Sequence, residues 1–192
     1  MTSDKPMVDA RTGASFSLGN RIGRVVWAVV YWTLFRPSPR PLHAWRAFLL
    51  RLLGAKMGKG THIYPGVRIW APWNLDCGDA AGVASGAILY NQGFITLGKR
   101  AVVSQGAHLC AGTHDHEQPG FPLITKPIMV GAEAWLGAEC FVLPGVVIGE
   151  GAVIGARAVV VKDAPAWMVC VGHPAKPVKP RAYRPSDQLP AQ

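Results

Sequence analysis

Residues 130–160 read VGAEAW LGAECF VLPGVV IGEGAV IGARAV V, a six-residue period held in one unbroken phase. An aliphatic residue recurs at Val130, Leu136, Val142, Ile148, Ile154 and Val160. Glycine follows at Gly131, Gly137, Gly149 and Gly155, and a smaller residue sits four places after each aliphatic, at Ala134, Cys140, Val146, Ala152 and Ala158. The same phase appears upstream at Leu97, Val103 and Leu109 with Ala101 and Ala107, at Cys77, Val83 and Leu89 with Ala81 and Ala87, and at Met57, Ile63, Ile69 and Leu75. Self-similarity at a fixed short period is the mark of a solenoid.

Strand geometry explains the pattern. Side chains alternate faces along a strand, so the aliphatic residue and the small one two places before the next aliphatic point the same way, into a narrow interior. A glycine between them turns the corner. Each hexapeptide is one short face of a coil that cannot bury its interior alone, whereas stacked coils can. The expected fold is an all-β main domain, a β-helix over residues 55–168, with a helical segment over 1–54 and a basic tail over 169–192. The phase slips in three places: Leu75 to Cys77, Leu89 to Leu97, and Leu109 to Val130. Each slip predicts an outward excursion. The last predicts a loop over 113–128, holding Thr113-His114-Asp115-His116-Glu117 and the Pro-rich stretch Pro119 to Pro127.

Composition agrees. Of 192 residues, 49% are apolar and only 16% charged, with 22 Gly and 16 Pro and no collagen-like triplet, which excludes disorder and favours short apolar segments between turns. The net charge of +9 is uneven: residues 1–59 carry ten Lys/Arg against two Asp/Glu, residues 60–161 five against seven, and residues 162–192 five against two. No basic stripe is interleaved with aromatics, so nucleic acid is not an expected partner. The four cysteines form no CxxC pair and read as reduced packing residues. No secretory leader is legible, because the first apolar run lies after Arg21 and Arg24, and a cytoplasmic location is expected.

Residues 20–35 read as a helix, and a second is predicted from Pro41 in its first turn to Gly54 just past its end. The uncharged run from Val25 to Phe35 is eleven residues, short of the roughly twenty that a bilayer needs. Two readings stand for this segment: a cap on the open end of the β-helix, or an interfacial pair in residues 20–53 that sets tryptophans and arginines at an anionic membrane surface.

With these residues quoted, the chain resembles the hexapeptide-repeat acyltransferases, closely so over residues 57–178. Within them it is similar to the colanic-acid-biosynthesis acetyltransferase branch, related to galactoside and maltose O-acetyltransferases, also in Ser15-Phe16-Ser17-Leu18, Leu34-Phe35-Arg36-Pro37-Ser38-Pro39, Gly54-Ala55-Lys56 and Trp73-Asn74-Leu75. The resemblance implies a left-handed parallel β-helix, an acetyl-CoA donor, no metal, and a homotrimer with its sites between subunits.

Acyl transfer to a hydroxyl needs a base, and histidine suits that task. His62 and His108 occupy outward sixth positions, and His43 lies in the helical segment. His114 closes Ala111-Gly112-Thr113-His114 where the phase breaks, and the resemblance implies that it is the general base. His116, two residues on, faces the same side if the loop is extended. Asp115 and Glu117 are the neighbouring groups able to take a second ring proton. The resemblance further places Trp135, Ala138, Ala156, Val161 and Lys162 along the donor groove and Lys176 and Lys179 near its phosphates, while an oxyanion donor is expected near Gly137 or Ala138. The family's sugar-binding Asn and Asp fall on Ala84 and Gln92, so acceptor contacts are expected from Asn91, Gln92, His116 and the loop.

The expected activity is O-acetylation of a sugar hydroxyl in an exopolysaccharide or its precursor. Other readings stay open: a serine or antibiotic acceptor, a zinc carbonic anhydrase-like site built from His108, His114 and His116, or a non-catalytic scaffold.

Overall fold

The structure, a computed structural model, describes residues 13 and 15–182. The remainder of the 1–54 segment and of the 169–192 tail lies outside the described residues. Two helices come first, α1 (Leu18–Val30), which continues as a π-helical turn over Tyr31–Phe35, and α2 (His43–Leu52). Nineteen short strands follow and wind into a three-sided prism. Face A is a five-stranded sheet of β1 (Lys56–Met57), β4 (Leu75–Cys77), β7 (Ile95–Leu97), β12 (Ile128–Val130) and β15 (Val147–Ile148). Face B stacks β2 (His62–Ile63), β5 (Gly82–Val83), β8 (Val102–Val103), β13 (Trp135–Leu136), β16 (Val153–Ile154), β18 (Met168–Val171) and β19 (Lys176–Pro180). Face C stacks β3 (Arg68–Ile69), β6 (Ile88–Tyr90), β9 (His108–Cys110), β14 (Phe141–Val142) and β17 (Val159–Val160). Outside the prism, β10 (Gly112–His114) and β11 (Leu123–Thr125) pair antiparallel, so the expected loop is a hairpin.

Coil-to-coil pairing is parallel, with Met57 over Cys77, Cys77 over Leu97 and Leu97 beside Val130. The repeat aliphatics form the interior: Ile63, Val83, Val103, Leu136 and Ile154 on face B and Leu89, Leu109 and Val142 on face C are fully buried. All three phase slips fall at one corner, between faces C and A. Coils that carry the two-residue slip take twenty residues from Met57 to Cys77 and again to Leu97, whereas Val130 to Ile148 takes eighteen.

The glycines that follow the face A aliphatics are required by space. A Cβ on Gly58, Gly78, Gly98, Gly131 or Gly149 would meet a backbone nitrogen of the next coil at 2.4–2.7 Å. The left-handed backbone falls two residues later, on Ala80 (φ 55°), Arg100 (φ 56°) and Glu133 (φ 57°), whose N–H groups donate to Lys59, Asp79 and Lys99 carbonyls at 2.8 Å. Gly98→Ala, whose Cβ would lie 2.5 Å from Ala132 N, is expected to cost about 3 kcal/mol, about 6–12 °C in Tm by calorimetry. Arg100→Gly should move Tm by less than a third of that, since its ion pair with Glu133 is exposed.

The first coil donates its N–H groups to the second (Gly58, Tyr64 and Trp70 to Cys77, Val83 and Leu89 carbonyls), which leaves its own carbonyls facing the open end. The helices cover them one per face. Arg51 Nη2 donates to Met57 O (2.7 Å), Arg46 Nε to Ile63 O (2.6 Å) and Trp27 Nε1 to Ile69 O (2.7 Å). Arg46 is fully buried, and its remaining donors reach Ser38 Oγ and Pro39 O (2.8 Å each) and Arg40 O (2.6 Å). Ser38, Pro39 and Arg40 therefore build the cradle of this guanidinium. A spacing of four drifts by about 40° per step on an α-helix, and the wider π turn removes that drift, so Trp27, Tyr31 and Phe35 all face the coil end, with ring centroids 5.4–5.7 Å apart. An edge of unpaired strands is thus covered rather than exposed.

Two boundaries differ from the sequence reading. The helix expected over 20–35 begins at Leu18, where Ser17 Oγ accepts from Asn20 N, and becomes a π turn at Tyr31. The tail expected from residue 169 is a correction: β18 spans that boundary and β19 folds back on it antiparallel, closing face B. Cys77, Cys140 and Cys170 are buried as packing residues, and burial pushes the Cys77 and Cys140 thiols up to about 12, far from nucleophilic use.

Candidate functional site

His114 ends β10 and pairs with Leu123 across the hairpin. Its Nδ1 lies 2.8 Å from Phe121 O and its ring stacks on the Phe121 ring at 4.6 Å and 8°. A carbonyl only accepts, so Nδ1 carries the proton and the lone pair of the neutral ring is on Nε2. Phe121 holds this carbonyl in place from a left-handed backbone (φ 50°), next to Gly120 (φ 86°). Sequence reasoning missed Phe121; the adjacent glycine was its only signal.

The neighbouring acids do not take that role. Asp115 Oδ1 accepts from Glu117 N (3.1 Å), and Asp115 N donates to Pro122 O (2.9 Å). The hairpin turns after Asp115, which leaves His116 exposed at the bend. Gln92 does lie against β10 at Gly112, two residues before His114: its Nε2 donates to Tyr90 OH (2.9 Å), and its Oε1 occupies the place that a Cβ on that glycine would take.

Asn91 is a correction. Expected among the acceptor contacts, it is fully buried. Its Oδ1 accepts from Trp70 N and Ala71 N (3.0 Å each), and its Nδ2 donates to Ala71 O (2.5 Å). It occupies the same inward corner place as Ala71 and Ala111, two residues after Ile69 and Leu109, and that spacing was the available signal. Gly137 is also corrected as an oxyanion donor, because its N–H donates to Ile154 O (2.8 Å).

The remaining residues fall into two groups. Trp135 is 49% exposed on face B, with Nε1 donating to Ser104 Oγ at 2.9 Å. An outward row runs from it through Val153 and Val169 to Lys179, three strand spacings or about 14 Å. Ala138 and Ala156 sit at the corner between faces B and C, Ala138 O accepting from Arg157 N (2.8 Å), and Lys176 is exposed on β19. Val161 and Lys162 instead follow β17 at the corner between C and A, the same corner as His114. Face C separates the groups within one chain.

Face C itself carries an open groove of about 420 Å³ lined by Arg68, Trp70, Ile88, Tyr90 and His108. It adjoins a second of about 290 Å³ that shares Arg68 and Trp70 and reaches Arg24 and Tyr31. Among the described residues, His108 Nε2, Tyr31 OH and Arg24 Nε are buried along it without a hydrogen-bond partner. Desolvation, then the Arg68 charge, lowers the His108 pKa. Among the described residues no group of three or more His, Cys, Asp or Glu stands together as a metal site; His108 packs against Phe141 on face C, away from the hairpin of His114 and His116.

Residues 127–162 match the family of bacterial transferase hexapeptide proteins (six repeats). Over 166 residues the chain is 47% identical to a putative colanic acid biosynthesis acetyltransferase, WcaF, of Escherichia coli K12, covering 86% of this chain and 91% of that protein. Among solved structures it is similar to a maltose O-acetyltransferase from Clostridium difficile (TM-score 0.79, 23% identity, 87% and 90% covered). A galactoside acetyltransferase in complex with coenzyme A is equally similar (TM-score 0.79, 23% identity, 87% and 84% covered). At these identities the structural likeness carries the fold.

Proposed function

The chain belongs to the hexapeptide-repeat acetyltransferases, in the branch of the colanic acid biosynthesis enzyme, and from that premise we propose that it O-acetylates a saccharide hydroxyl from acetyl-CoA, with His114 as general base. The observation that carries this reading is the His114 ring, held by the Phe121 carbonyl at Nδ1 with Nε2 left as acceptor. Acetyl-CoA supplies an acyl group activated as a thioester. His114 Nε2 takes the hydroxyl proton as that oxygen attacks, the Phe121 carbonyl stabilises the imidazolium, and the proton then passes to the departing sulfur. A C–S bond breaks, a C–O bond forms, and the proton ends on the thiol. Gln92 and the exposed His116 are the acceptor-side candidates of this site, and Ala138 N–H is the candidate for the charge that develops on the carbonyl oxygen.

The donor side is assigned to Trp135, Ala138, Ala156, Lys176 and Lys179 of one chain and to Val161 and Lys162 of the next, whose C–A edge also presents His114. The two groups flank face C, so three prisms packed by that face would join one chain's B–C edge to the neighbour's C–A edge. A homotrimer with three sites follows, and the unpartnered polar atoms and aromatic lining of face C support its burial. Sedimentation should give three times 20.6 kDa; a monomer with full activity would remove the divided site. Replacing Lys176 and Lys179 by Ala together should raise KM for acetyl-CoA about tenfold, roughly 1.4 kcal/mol of phosphate contacts, at little change in kcat. An unchanged KM would take them out of the donor site.

The acceptor is tested by incubating the enzyme with labelled acetyl-CoA and a panel of saccharides, lipid-linked sugars, serine and antibiotics. Base-labile label on a saccharide is expected, an exopolysaccharide unit or its precursor foremost. Label on serine instead would overturn the acceptor class.

A further inference from the structure

Helix α1 is apolar on two opposite sides, and the fold uses one. At 3.6 residues per turn, Leu18, Ile22, Val25 and Val29 form a stripe roughly opposite Trp27. With Trp32 beyond them, they expose 56–69% of their surface. On α2, Trp45, Phe48 and Leu52 face outward at helical spacing while Arg46, Leu49 and Leu50 are buried. Trp45 ties α2 to the π turn that continues α1, donating from Nε1 to Leu34 O (3.2 Å) and stacking on Phe48 at 5.8 Å. A helix apolar all round belongs in a buried setting, and a continuous exposed apolar patch marks a contact surface.

Charge identifies what the surface contacts. Residues 13–75 hold nine Lys/Arg and no Asp or Glu. Arg21, Arg36, Arg40, Arg51 and Lys56 are exposed around the patch, and the Arg36 guanidinium stands 4.9 Å over the Trp32 ring. We propose that this capped end of the prism docks on an anionic lipid surface, α1 and α2 lying in the interface with their outer stripes at the acyl boundary and the arginines among the headgroup phosphates. Apolar insertion and about 1 kcal/mol per cation near an anionic leaflet act together in such a contact. A second copy of the chain would set the same cations against each other, which disfavours self-association through this face. The contact lies on the membrane rather than across it: α1 has 13 residues, about 20 Å, and no described helix is long and apolar enough to span a bilayer.

In this orientation the prism stands on its cap. His114, which follows the third coil, is then roughly 20 Å above the surface, one helix diameter of about 10 Å plus two strand spacings of about 4.8 Å.

The test is flotation of the full chain with vesicles of phosphatidylcholine alone or mixed with phosphatidylglycerol. Recovery with the anionic vesicles should exceed that with the neutral ones about tenfold at low salt and fall as salt rises. The double substitution Ile22→Asp with Val29→Asp, on the outward stripe, should lower that recovery at least tenfold while Tm and sedimenting mass stay as in the parent. His114→Ala should float like the parent, so loss of catalysis leaves this result untouched. Three outcomes overturn the proposal: full-length protein that stays at the bottom with anionic vesicles, equal recovery with both lipids, or a double variant whose oligomer dissociates, which would make the stripe a chain-to-chain contact.

Discussion

His114→Ala should retain the assembly, the melting temperature and acetyl-CoA affinity while turnover falls a hundredfold or more. The residue stands on a hairpin outside the prism, so its removal takes nothing from the buried aliphatic ladder, and the donor residues of face B are untouched. What is lost is the acceptor for the hydroxyl proton, a contribution typically worth two to four decades. Calorimetric titration of acetyl-CoA, together with initial rates on the identified saccharide, separates the two terms. A variant that transfers acetyl near the parent rate would falsify the assignment and move attention to His116.

Arg46→Met should lower stability about as much as Gly98→Ala, again without direct damage to the chemistry. The side chain is fully buried and donates to Ile63, Pro39 and Arg40 carbonyls and to Ser38 Oγ. Methionine fills part of the space but removes all of these donors at once; Pro39 O keeps Leu42 N (3.1 Å) and Ile63 O keeps His43 Nδ1 (3.0 Å), while Arg40 O and Ser38 Oγ lose the guanidinium, at about 3 kcal/mol. A fall in Tm of about 6–12 °C is expected, with activity near that of the parent well below the transition. Arg51→Ala, at an exposed position whose Nη2 reaches Met57 O, should cost about a third as much. A shift under 2 °C for Arg46→Met would mean that water or backbone rearrangement satisfies these carbonyls, and the cap would owe its strength to the Trp27, Tyr31 and Phe35 rings instead.

The stack was legible in the sequence because its cause is periodic. An inward aliphatic every sixth residue leaves a signal that survives substitution, and Val103, Leu109, Leu136 and Ile154 are all interior as read. What could not be read were features that depend on contacts between coils. The repeat glycines read as residues that turn the corner, yet at Gly98 the constraint is a nitrogen of the next coil 2.5 Å from its missing Cβ. Asn91 reads as an acceptor contact, but it bonds three backbone groups of the preceding coil's corner. His114 stands out in the sequence by its position at a phase break, whereas Phe121, seven residues away, meets it through a carbonyl that leaves no trace in side-chain chemistry.

Because every departure from the sixfold phase is confined to the corner between faces C and A, the ladders on the three sides do not register what is inserted there. Pairing resumes with Ile128 beside Ile95 and Val130 beside Leu97, as though residues 111–127 were absent. Such a corner behaves as a cassette site. Hairpins of other lengths can be exchanged between Ala111 and Ile128 while the prism keeps its order, so the acceptor side proposed for this hairpin can diverge rapidly on a scaffold that changes slowly.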